Sequence, residues 1–463
     1  MQTRRKFLAG LSAASAAAAA DRDRPNIIFL LTDDQRWDSL SCMGNPVVRT
    51  PNVDQLSEHG VHFRRHFVTT AICMTSRASI FSGLYARTHR INSFDTPFSP
   101  ERYAGIYPEL IRNSGYHTGF IGKWGVGSKM PEDHFDYWRG FPGQGHYYQK
   151  RDGKFIHITE LMGDQSLEFL AGAPKGKPFC LSVSFKAPHV QDEDPRQFLY
   201  DPKHRYMYHD DRIPIPKTAD PRYIAMLPPE VQRSEGRRRW AVRFGTPELF
   251  QESVRGYYRL ITEVDIVVGR LVEDLKKRGV WENTVIVYSG DNGFYLSEHG
   301  LAGKWLMHEE SIRTPLIIHD PRLPATARGK KPNEMSLNID IAPTLLSIAG
   351  IQAPPMQGRN LYPLIQGQSR DWRHGFFYEH TFTNGWIPQT EGIRTENWKY
   401  TRYTDTDPMF EELFDLEADP LEERNLAADP ALQDRLEGMR KRWQTWRESL
   451  EKAQAGSPWR EPA

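Results

Sequence analysis

Residues 26–34 read Asn-Ile-Ile-Phe-Leu-Leu-Thr-Asp-Asp, a continuous apolar run that ends in two adjacent carboxylates. Such a run predicts a strand buried on both faces, as strands of parallel sheets are. Residues 179–185 (FCLSVSF) and 284–288 (TVIVY) repeat the pattern, and they lead into the polar segments 186–189 (KAPH) and 289–292 (SGDN). The sequence therefore predicts several buried strands, each followed by a polar loop.

Helical patterns lie between these strands, at residues 53–59, 109–114 and, most clearly, 250–278. In the last of these, the apolar residues Ile261, Val264, Val268, Leu271 and Leu275 fall on one face. Alternating strands and helices predict an α/β fold with a large, mostly parallel central sheet flanked by helices. Ligands of such sheets bind beyond the carboxyl ends of the strands, where all three polar segments lie.

The pattern changes after residue 367 to short aromatic-rich segments, such as 375–378 and 398–403, and then to a helix from about 430 to 452. We therefore expect a main domain over residues 25–366. A smaller C-terminal α+β subdomain over 367–463 would hold a small antiparallel sheet and the terminal helix.

The charge balance gives no sign of a nucleic-acid or acidic-membrane partner, because 60 Lys and Arg stand against 59 Asp and Glu. Residues 191–246 are rich in Pro, Arg and Tyr and include the charged run 233–243. We interpret this region as a solvated surface, since charge runs usually are. The alternative is a rim that recognises an anionic polymer.

Residues 1–20 combine the pair Arg4 and Arg5 with an Ala-rich stretch that ends at Ala20. This pattern predicts a twin-arginine export signal that is cleaved near Ala20, and hence a periplasmic or extracellular bacterial protein. The apolar part is too short and too rich in Ala to span a membrane, so no membrane span is expected.

The adjacent carboxylates Asp33 and Asp34 would repel each other unless a cation lay between them. Asp291 and Asn292 supply a second oxygen-bearing pair at another strand end. On its own, Asp-Asp would be a helix cap or a loop pair, but two such pairs after matching strands favour a metal site. Ligands that are all oxygen favour Ca²⁺ or Mg²⁺ over Zn²⁺.

The chain has three cysteines, Cys42, Cys73 and Cys180, so at least one has no disulfide partner, and we expect this to be Cys73. Cys73 opens a helical pattern, and a helix N-terminus attracts anions and lowers the pKa of a thiol. A buried structural cysteine is one interpretation. A cysteine-phosphatase nucleophile is excluded, because Ser79 stands where that motif needs its arginine.

The stretch Cys73-Met74-Thr75-Ser76-Arg77, followed by Ala78-Ser79 and Gly83, resembles the Cys-x-Pro-x-Arg signature of type I sulfatases, whose cysteine is oxidised to formylglycine. The resemblance continues through almost all of the chain. It includes TDDQ at Thr32, GKWG at Gly122, APH at Ala187, SGDNG at Ser289, EHG at Glu298, GK at Gly303, EESIRTPLI at Glu309, DIAPTLL at Asp340, MQGRNL at Met356 and LFDLEADP at Leu413.

This resemblance implies the alkaline-phosphatase-like fold and a sulfatase that removes sulfate from a small molecule or glycan, which we expect to be a carbohydrate. It implies a formylglycine-generating enzyme as the partner in maturation. One Ca²⁺ ion would be held by five residues: Asp33, Asp34, the modified Cys73, Asp291 and Asn292.

The resemblance also assigns the remaining roles. Arg77 would hold the formylglycine in place, and Lys123, His189 and Lys304 would bind the sulfate and assist the leaving group. One hydroxyl of the hydrated aldehyde would attack sulfur, and His189 would protonate the departing alcohol.

The chain departs from the family pattern at two positions. Thr75 stands where the family usually has Pro or Ala, and Gly125 stands where it often has the His that acts as base for sulfate expulsion. His299 and His308, which flank Lys304, are candidates for that base.

Two other functions remain alternatives at this point: a phosphonate or phosphodiester hydrolase of the same superfamily, and a binding protein for sulfated glycans in which Cys73 is unmodified. We expect the aromatic and basic residues near 143–151 and 200–212 to line the pocket.

Overall fold

The structure is a computed structural model that describes residues 24–462. The export signal expected at residues 1–20 lies outside this range. Within it, no helix combines the length and the hydropathy that a membrane crossing requires.

Strands and helices alternate along most of the chain, and short antiparallel strands dominate the C-terminal part. The strands are β1 (Asn26–Asp33), β2 (Val61–His62), β3 (His66–Phe67), β4 (His117–Lys123), β5 (Tyr137–Phe141), β6 (Tyr148–Arg151), β7 (Lys154–His157), β8 (Phe179–Pro188), β9 (Thr284–Gly290), β10 (Tyr295–Leu296), β11 (Ala302–Gly303), β12 (Leu316–His319), β13 (Ser336–Leu337), β14 (Gly375–His380), β15 (Thr390–Thr395), β16 (Trp398–Tyr403) and β17 (Phe410–Asp415). The helices are α1 (Pro51–His59), α2 (Cys73–Ser82), α3 (Ala86–His89), α4 (Pro100–Tyr103), α5 (Tyr107–Asn113), α6 (Ile158–Gly172), α7 (Pro221–Ala225), α8 (Pro229–Gln232), α9 (Glu235–Phe244), α10 (Pro247–Lys277), α11 (Glu309–Ile312), α12 (Ile341–Ile348), α13 (Tyr362–Ile365) and α14 (Gln433–Lys452).

A seven-stranded sheet with the order β2-β12-β9-β1-β8-β4-β5 forms the centre of the molecule. Five neighbouring strands, β9, β1, β8, β4 and β5, run parallel, while β12 and β2 pair antiparallel at the edge opposite β5. The prediction of a large, mostly parallel sheet from three apolar runs is confirmed.

Both faces of β1 are buried, which explains why its sequence shows no polar alternation. Ile28 and Leu30 point into a core that includes α1, α6 and α10. Ile27, Phe29 and Leu31 point into a second core that includes α2, α5 and α12. The sheet therefore lies between two helical layers.

The three predicted helical patterns are all helices in the structure. Residues 53–59 belong to α1 and residues 109–114 largely to α5, while the pattern at 250–278 belongs to the 31-residue helix α10. This helix begins earlier than predicted, because the Thr246 side chain accepts a hydrogen bond from the Leu249 backbone N–H and Pro247 occupies the first turn.

The C-terminal part contains an antiparallel sheet of four strands in sequence order, β14 to β17, and the helix α14 packs against it. Trp443, Trp446 and Leu450 of α14 share a core with Phe67 and Tyr85 from the N-terminal half of the chain. The small sheet therefore packs through side chains against segments of the main part of the chain that lie outside the central sheet.

The register of the central sheet gathers the polar segments at one edge. Asp33 at the end of β1 pairs with Pro188 at the end of β8, and Thr32 pairs with Gly290 at the end of β9. The Asp291 backbone N–H then donates to the Thr32 carbonyl oxygen at 2.9 Å. The residues after the three strands must consequently meet.

The close packing of β4 against β8 can be tested by comparing Gly122, which lies in β4, with Gly44, which does not. Both glycines have φ +98°, so the two positions differ in their surroundings but not in this backbone angle. A Cβ atom on Gly122 would lie 2.1 Å from the Ser184 carbonyl oxygen, whereas a Cβ on Gly44 would have no atom within 4 Å. In each case alanine costs about 1–2 kcal/mol for the left-handed backbone. We expect Gly122→Ala to cost a further ~1–3 kcal/mol from overpacking, measured as the free energy of unfolding in urea.

Gly44→Ala is the control, because it carries the cost of placing alanine in a left-handed backbone conformation but no steric overlap. Equal losses of stability in the two variants would contradict the close approach of β4 and β8.

Candidate active site

Nine residues singled out from the sequence lie together at the carboxyl edge of the central sheet. Asp33 and Lys123 end β1 and β4, and Cys73 and Arg77 lie on α2. The others follow β1, β8, β9 and β11 and are Asp34, His189, Asp291, Asn292 and Lys304. All nine are buried.

Three carboxylates face three cationic side chains in this cluster. Lys123 Nζ lies 2.5 Å from Asp33 Oδ2, and Arg77 Nε donates to Asp291 Oδ2 at 2.8 Å. Lys304 Nζ donates to Asp34. Each buried carboxylate thus has a cation, without which its burial would cost several kcal/mol.

The backbone of Asp34 is held in a conformation that non-glycine residues rarely adopt, with φ +66°. Its N–H donates to Asp291 Oδ1 at 3.1 Å, and its carbonyl oxygen accepts from the Tyr257 hydroxyl at 2.7 Å. Neighbouring groups therefore stabilise a turn that aims the Asp34 carboxylate at Lys304 and Asn292.

The donor set fits a hard divalent cation. Asn292 Oδ1 is buried and accepts no hydrogen bond, while its Nδ2 donates to Asp34 Oδ1 at 2.6 Å. Burial and the neighbouring Asp33 raise the pKa of Asp291 to about 6. A bound cation would give Asn292 Oδ1 a partner and would lower that pKa.

Ligand atoms of Asp33, Asp34, Cys73 and His189 lie within 4.8 Å of one another. This geometry brings the thiol sulfur of Cys73 and an imidazole nitrogen beside the carboxylates. The cysteine therefore adjoins the group of oxygens that would hold a cation.

Cys73 is the first residue of α2 and is buried, with Sγ 3.2 Å from Asp33 Oδ1 and 3.1 Å from Lys304 Nζ. Burial and Asp33 raise the pKa of the thiol to about 12. The expectation that the helix N-terminus would lower this pKa is therefore wrong, because burial outweighs the helix dipole. No disulfide joins Cys42, Cys73 and Cys180, all of which lie within the described range.

Arg77 is fully buried and links α2 to two strands. Its Nη1 donates to the Lys123 carbonyl oxygen at 2.6 Å and to the Ser184 hydroxyl. Gly125 has φ +75°, and a Cβ atom there would lie 2.6 Å from Cδ of Arg77. Arg77 thus fills the space in which a side chain at position 125 would begin.

The orientation of His189 is fixed by the backbone. Its Nδ1 lies 2.6 Å from the Val190 carbonyl oxygen, so Nδ1 carries the proton and Nε2 faces Asp34 at 3.5 Å. Burial lowers the pKa of His189 well below its usual value, and Lys304 and Lys123 lower it further, although Asp33 opposes them.

His299 and His308 lie elsewhere, stacked on each other with ring centroids 4.2 Å apart. His308 Nδ1 lies 2.7 Å from the Tyr295 hydroxyl. Among the residues that the structure describes, His189 is the sole histidine in the pocket above Cys73. The idea that His299 or His308 replaces a base missing at Gly125 is therefore not supported.

A cavity of about 500 Å³ opens above Cys73. Of the expected wall segments 143–151 and 200–212, only Gln144 lines it; Tyr208 in the second segment is buried and bonds to Thr262 instead. The lining consists of Ile72, Cys73, Phe94, Gln144, His189, Asp192, Glu235, Arg238, Arg239, Lys304, Trp305, Phe382, Asn384, Trp386 and Ile387.

The charged run 233–243 is not a solvated surface along its whole length. It forms most of α9, whose Glu235, Arg238 and Arg239 line the cavity. Arg243 is buried and donates to Asp192 Oδ1 at 2.6 Å. The interpretation as a solvated face is therefore wrong for Arg243, and Glu235 and Arg239 are only partly exposed, whereas Arg238 is exposed as expected.

Sequence reasoning missed three groups that support the site. Gln144 Oε1 accepts from Lys123 Nζ at 2.7 Å, and Tyr257 holds the Asp34 turn. Lys186 is buried above the ring of Tyr147 at 4.9 Å. The sequence could have indicated that Tyr257 is buried, since it lies on the apolar face of the predicted helix, four residues before Ile261.

The family model described as Sulfatase matches residues 25–351, and the one described as N-sulphoglucosamine sulphohydrolase, C-terminal, matches residues 297–449. The first match covers most of the chain and includes all nine clustered residues. The second includes the four-stranded C-terminal sheet.

Individual proteins agree with the family matches. An N-acetylglucosamine-6-O-sulfatase of Bacteroides thetaiotaomicron is 30% identical, with 90% of this chain and 86% of the relative covered. A multifunctional alkaline phosphatase superfamily protein, PehA of Trinickia caryophylli, is 29% identical over 88% of this chain and 92% of the relative.

A solved structure in complex with its substrate D-glucosamine-2-N,6-O-disulfate is 27% identical, with a TM-score of 0.77 over 94% of this chain and 99% of the other. The motifs, the fold and these matches agree. The chain belongs to the sulfatase family and is a sulfuric ester hydrolase.

Proposed function

We propose that this enzyme removes sulfate from a sulfated carbohydrate, with Cys73 as the precursor of formylglycine and one Ca²⁺ ion in the cluster of oxygen ligands. The observation that carries the proposal is the placement of Cys73, with Lys304 and His189, in a cavity whose other walls are aromatic and polar. Two of the similar proteins are named for, or bound to, sulfated glucosamines, which supports a sugar as the substrate.

The buried cations would bind the sulfate. Lys123 and Lys304 carry ammonium groups that lie beside Asp33 and Asp34, and a sulfate oxygen could accept from either. The Ca²⁺ ion would be held by Asp33, Asp34, Asp291 and Asn292. The ion would neutralise negative charge on the sulfate, and a hydroxyl of the hydrated aldehyde would be the nucleophile.

His189 would protonate the leaving oxygen. Its Nδ1–H is committed to the Val190 carbonyl, so Nε2 is the nitrogen that can exchange a proton with the substrate. The negative charge of a bound sulfate ester raises the low pKa of this imidazole and favours its protonated form. Arg77 would hold the modified residue through its own contacts with Asp291 and Lys123.

Export through the twin-arginine route, proposed from Arg4 and Arg5, suits an extracellular polymer as substrate. Proteins on this route fold before they cross the membrane. The formylglycine-generating enzyme would therefore act on Cys73 in the cytoplasm.

The first experiment is mass spectrometry of the tryptic peptide from His66 to Arg77, from protein produced together with a formylglycine-generating enzyme. We expect Cys73 in this peptide to carry the aldehyde, and Cys42 and Cys180, which lie in other tryptic peptides of the same digest, to remain thiols. The same protein should hydrolyse an aryl sulfate faster than an aryl phosphonate monoester or phosphate diester.

Cys73→Ala is the control and should abolish turnover. A preference for the phosphonate or diester would overturn the sulfatase proposal in favour of the related hydrolases. A Cys73 that stays a thiol, in a protein that binds sulfated glycans without releasing sulfate, would favour the non-catalytic alternative.

The metal proposal predicts that Ca²⁺ raises the melting temperature of the chelator-treated protein. At a free concentration one hundred times Kd, the ion would add about 2.7 kcal/mol to the free energy of unfolding. Asn292→Ala removes the unpartnered Oδ1 and should reduce this shift. Differential scanning calorimetry with and without Ca²⁺ measures both proteins.

Asn45→Ala is a matched control, because Asn45 also donates hydrogen bonds, to Asp38 and Tyr258, but lies away from the carboxylates. It should retain the full Ca²⁺ shift. An Asn292→Ala protein with an unchanged shift would exclude Asn292 as a ligand.

Lys186 and His189 share one acceptor. Lys186 Nζ donates to the Val190 carbonyl oxygen at 3.2 Å, the same oxygen that accepts from His189 Nδ1. The Tyr147 hydroxyl donates to the His189 carbonyl oxygen at 2.6 Å. Lys186 and Tyr147 therefore hold the backbone segment that orients the imidazole.

Lys186→Met keeps an apolar side chain over Tyr147 but removes the donor to Val190. If His189 is the acid, the variant should lose about tenfold in kcat on an alkyl or sugar sulfate, because a poor leaving group needs its proton. It should lose less on an aryl sulfate with a good leaving group.

Steady-state kinetics on the two substrates, with Lys177→Met as an exposed control, measure the difference. Lys186→Arg, which retains a donor, should restore part of the rate. Equal losses on both substrates would exclude an action of Lys186 through leaving-group protonation.

A further inference from the structure

The cavity above Cys73 has a deep part and a rim that differ in exposure. Ile72, Trp305 and Ile387 form a small apolar cluster in the deep part, and Trp305 is only 5% exposed. At the rim, Phe94 is 44% exposed and Trp386 is 66% exposed. Cys73, His189 and Lys304, to which we assign the catalytic roles, belong to the deep part, since all three are buried.

The rim aromatics come from two distant loops that meet. Phe94 lies between α3 and α4, whereas Phe382 and Trp386 lie in the loop between β14 and β15. The rings of Phe94 and Phe382 pack edge to face with centroids 5.6 Å apart. Phe382 also packs against the deep cluster, so the apolar surface continues from the base of the cavity to its rim.

Trp386 is exposed, yet its backbone is fixed. Its N–H donates to Asn384 Oδ1 at 3.0 Å, and its carbonyl oxygen accepts from the Glu235 N–H at 2.8 Å. A large aromatic side chain gains little for folding when two thirds of it stays in water. An exposed ring on a preorganised turn does, however, suit a ligand, because little entropy is lost when it binds.

The aromatic rings are flanked by charged side chains that are linked to each other by hydrogen bonds and ion pairs. Glu235 accepts from Arg238 Nε and Arg239 Nε at 2.6 and 2.7 Å, and Arg239 also lies 3.3 Å from Asp192. Arg239 further packs over the ring of Trp305. Aromatic faces beside fixed hydrogen-bonding groups match a sugar ring, which presents C–H faces and hydroxyl groups together.

We propose that Phe94, Phe382 and Trp386 form a second sugar subsite, next to the sugar whose sulfate reaches Cys73. The enzyme then prefers a sulfated oligosaccharide to the corresponding monosaccharide. The sulfated ring occupies the deep part against Trp305, and the next ring of the glycan stacks on the rim. This inference rests on the proposed action on sulfated carbohydrates. It adds that the preferred substrate contains at least two sugar rings.

The test compares a sulfated monosaccharide with a disaccharide that carries the same sulfated ring. A panel of monosaccharides sulfated at single positions, including N-acetylglucosamine 6-sulfate, identifies the ring to use. The enzyme with formylglycine should show at least tenfold higher kcat/KM on the disaccharide, mainly through a lower KM. Trp386→Ala and Phe94→Ala should lose about tenfold on the disaccharide and clearly less on the monosaccharide.

Phe155→Ala is the matched control. Phe155 is 73% exposed on the β6–β7 hairpin but does not line the cavity. This variant should match the unmodified enzyme on both sugars. Equal kcat/KM on the two sugars, or equal losses in Trp386→Ala on both, would overturn the subsite.

Affinity separates this inference from the proposed function, because it requires no turnover. Calorimetry with Cys73→Ala protein should give a Kd at least tenfold lower for the disaccharide, and the added change Trp386→Ala should remove that advantage. If no sulfated sugar is hydrolysed but the advantage in Kd is present, the proposed function fails and the subsite stands. Equal Kd values for the two sugars would overturn the subsite itself.

Discussion

Three carboxylates, Asp33, Asp34 and Asp291, lie side by side at the carboxyl edge of the sheet without access to water, and the rest of the site depends on this constraint. Buried charges of one sign repel strongly and need partners close by. The parallel register of β1 between β8 and β9 creates the cluster. Lys123, Lys304 and Arg77 then balance it from three different parts of the chain.

The same constraint explains why the cysteine is placed as it is. Arg77 must point into the cluster, and the helix that carries it begins at Cys73 with all ten of its residues buried. The thiol therefore lies beside Asp33 and Lys304, where its pKa is raised and a thiolate is disfavoured.

Much of this site could be predicted from short stretches of sequence. The apolar runs before Asp33 and Asp291 indicated parallel strands, and parallel strands bring their carboxyl ends together whatever the intervening chain does. Cys73, Arg77, Lys123, His189 and Lys304 came from the resemblance of their motifs, and the structure places them in contact with those carboxylates. Their chemical roles stay predictions.

The cavity walls could not be predicted, since they depend on contacts between distant loops. Trp386 faces the cavity because its turn bonds to Glu235, which lies in a region without apolar periodicity. Arg243 is part of a charged run, yet it is buried because Asp192 and Gln197 accept its hydrogen bonds. Composition alone assigned the charged run to the solvent, and neither the sequence around Trp386 nor that around Arg243 shows which distant residue it contacts.

Cys73 and Lys304 are in contact although they lie 231 residues apart in the sequence. This separation sets the delay between the synthesis of the two residues on the ribosome. At a synthesis rate of about 5–20 residues per second, roughly 12–46 s pass between the translation of the cysteine and that of the lysine. Asp291, which α2 also requires, is made only shortly before Lys304. The Cys73 segment therefore cannot be buried in its folded site during the tens of seconds that translation takes to reach Lys304. In this interval, an enzyme that binds an extended polypeptide can reach the cysteine.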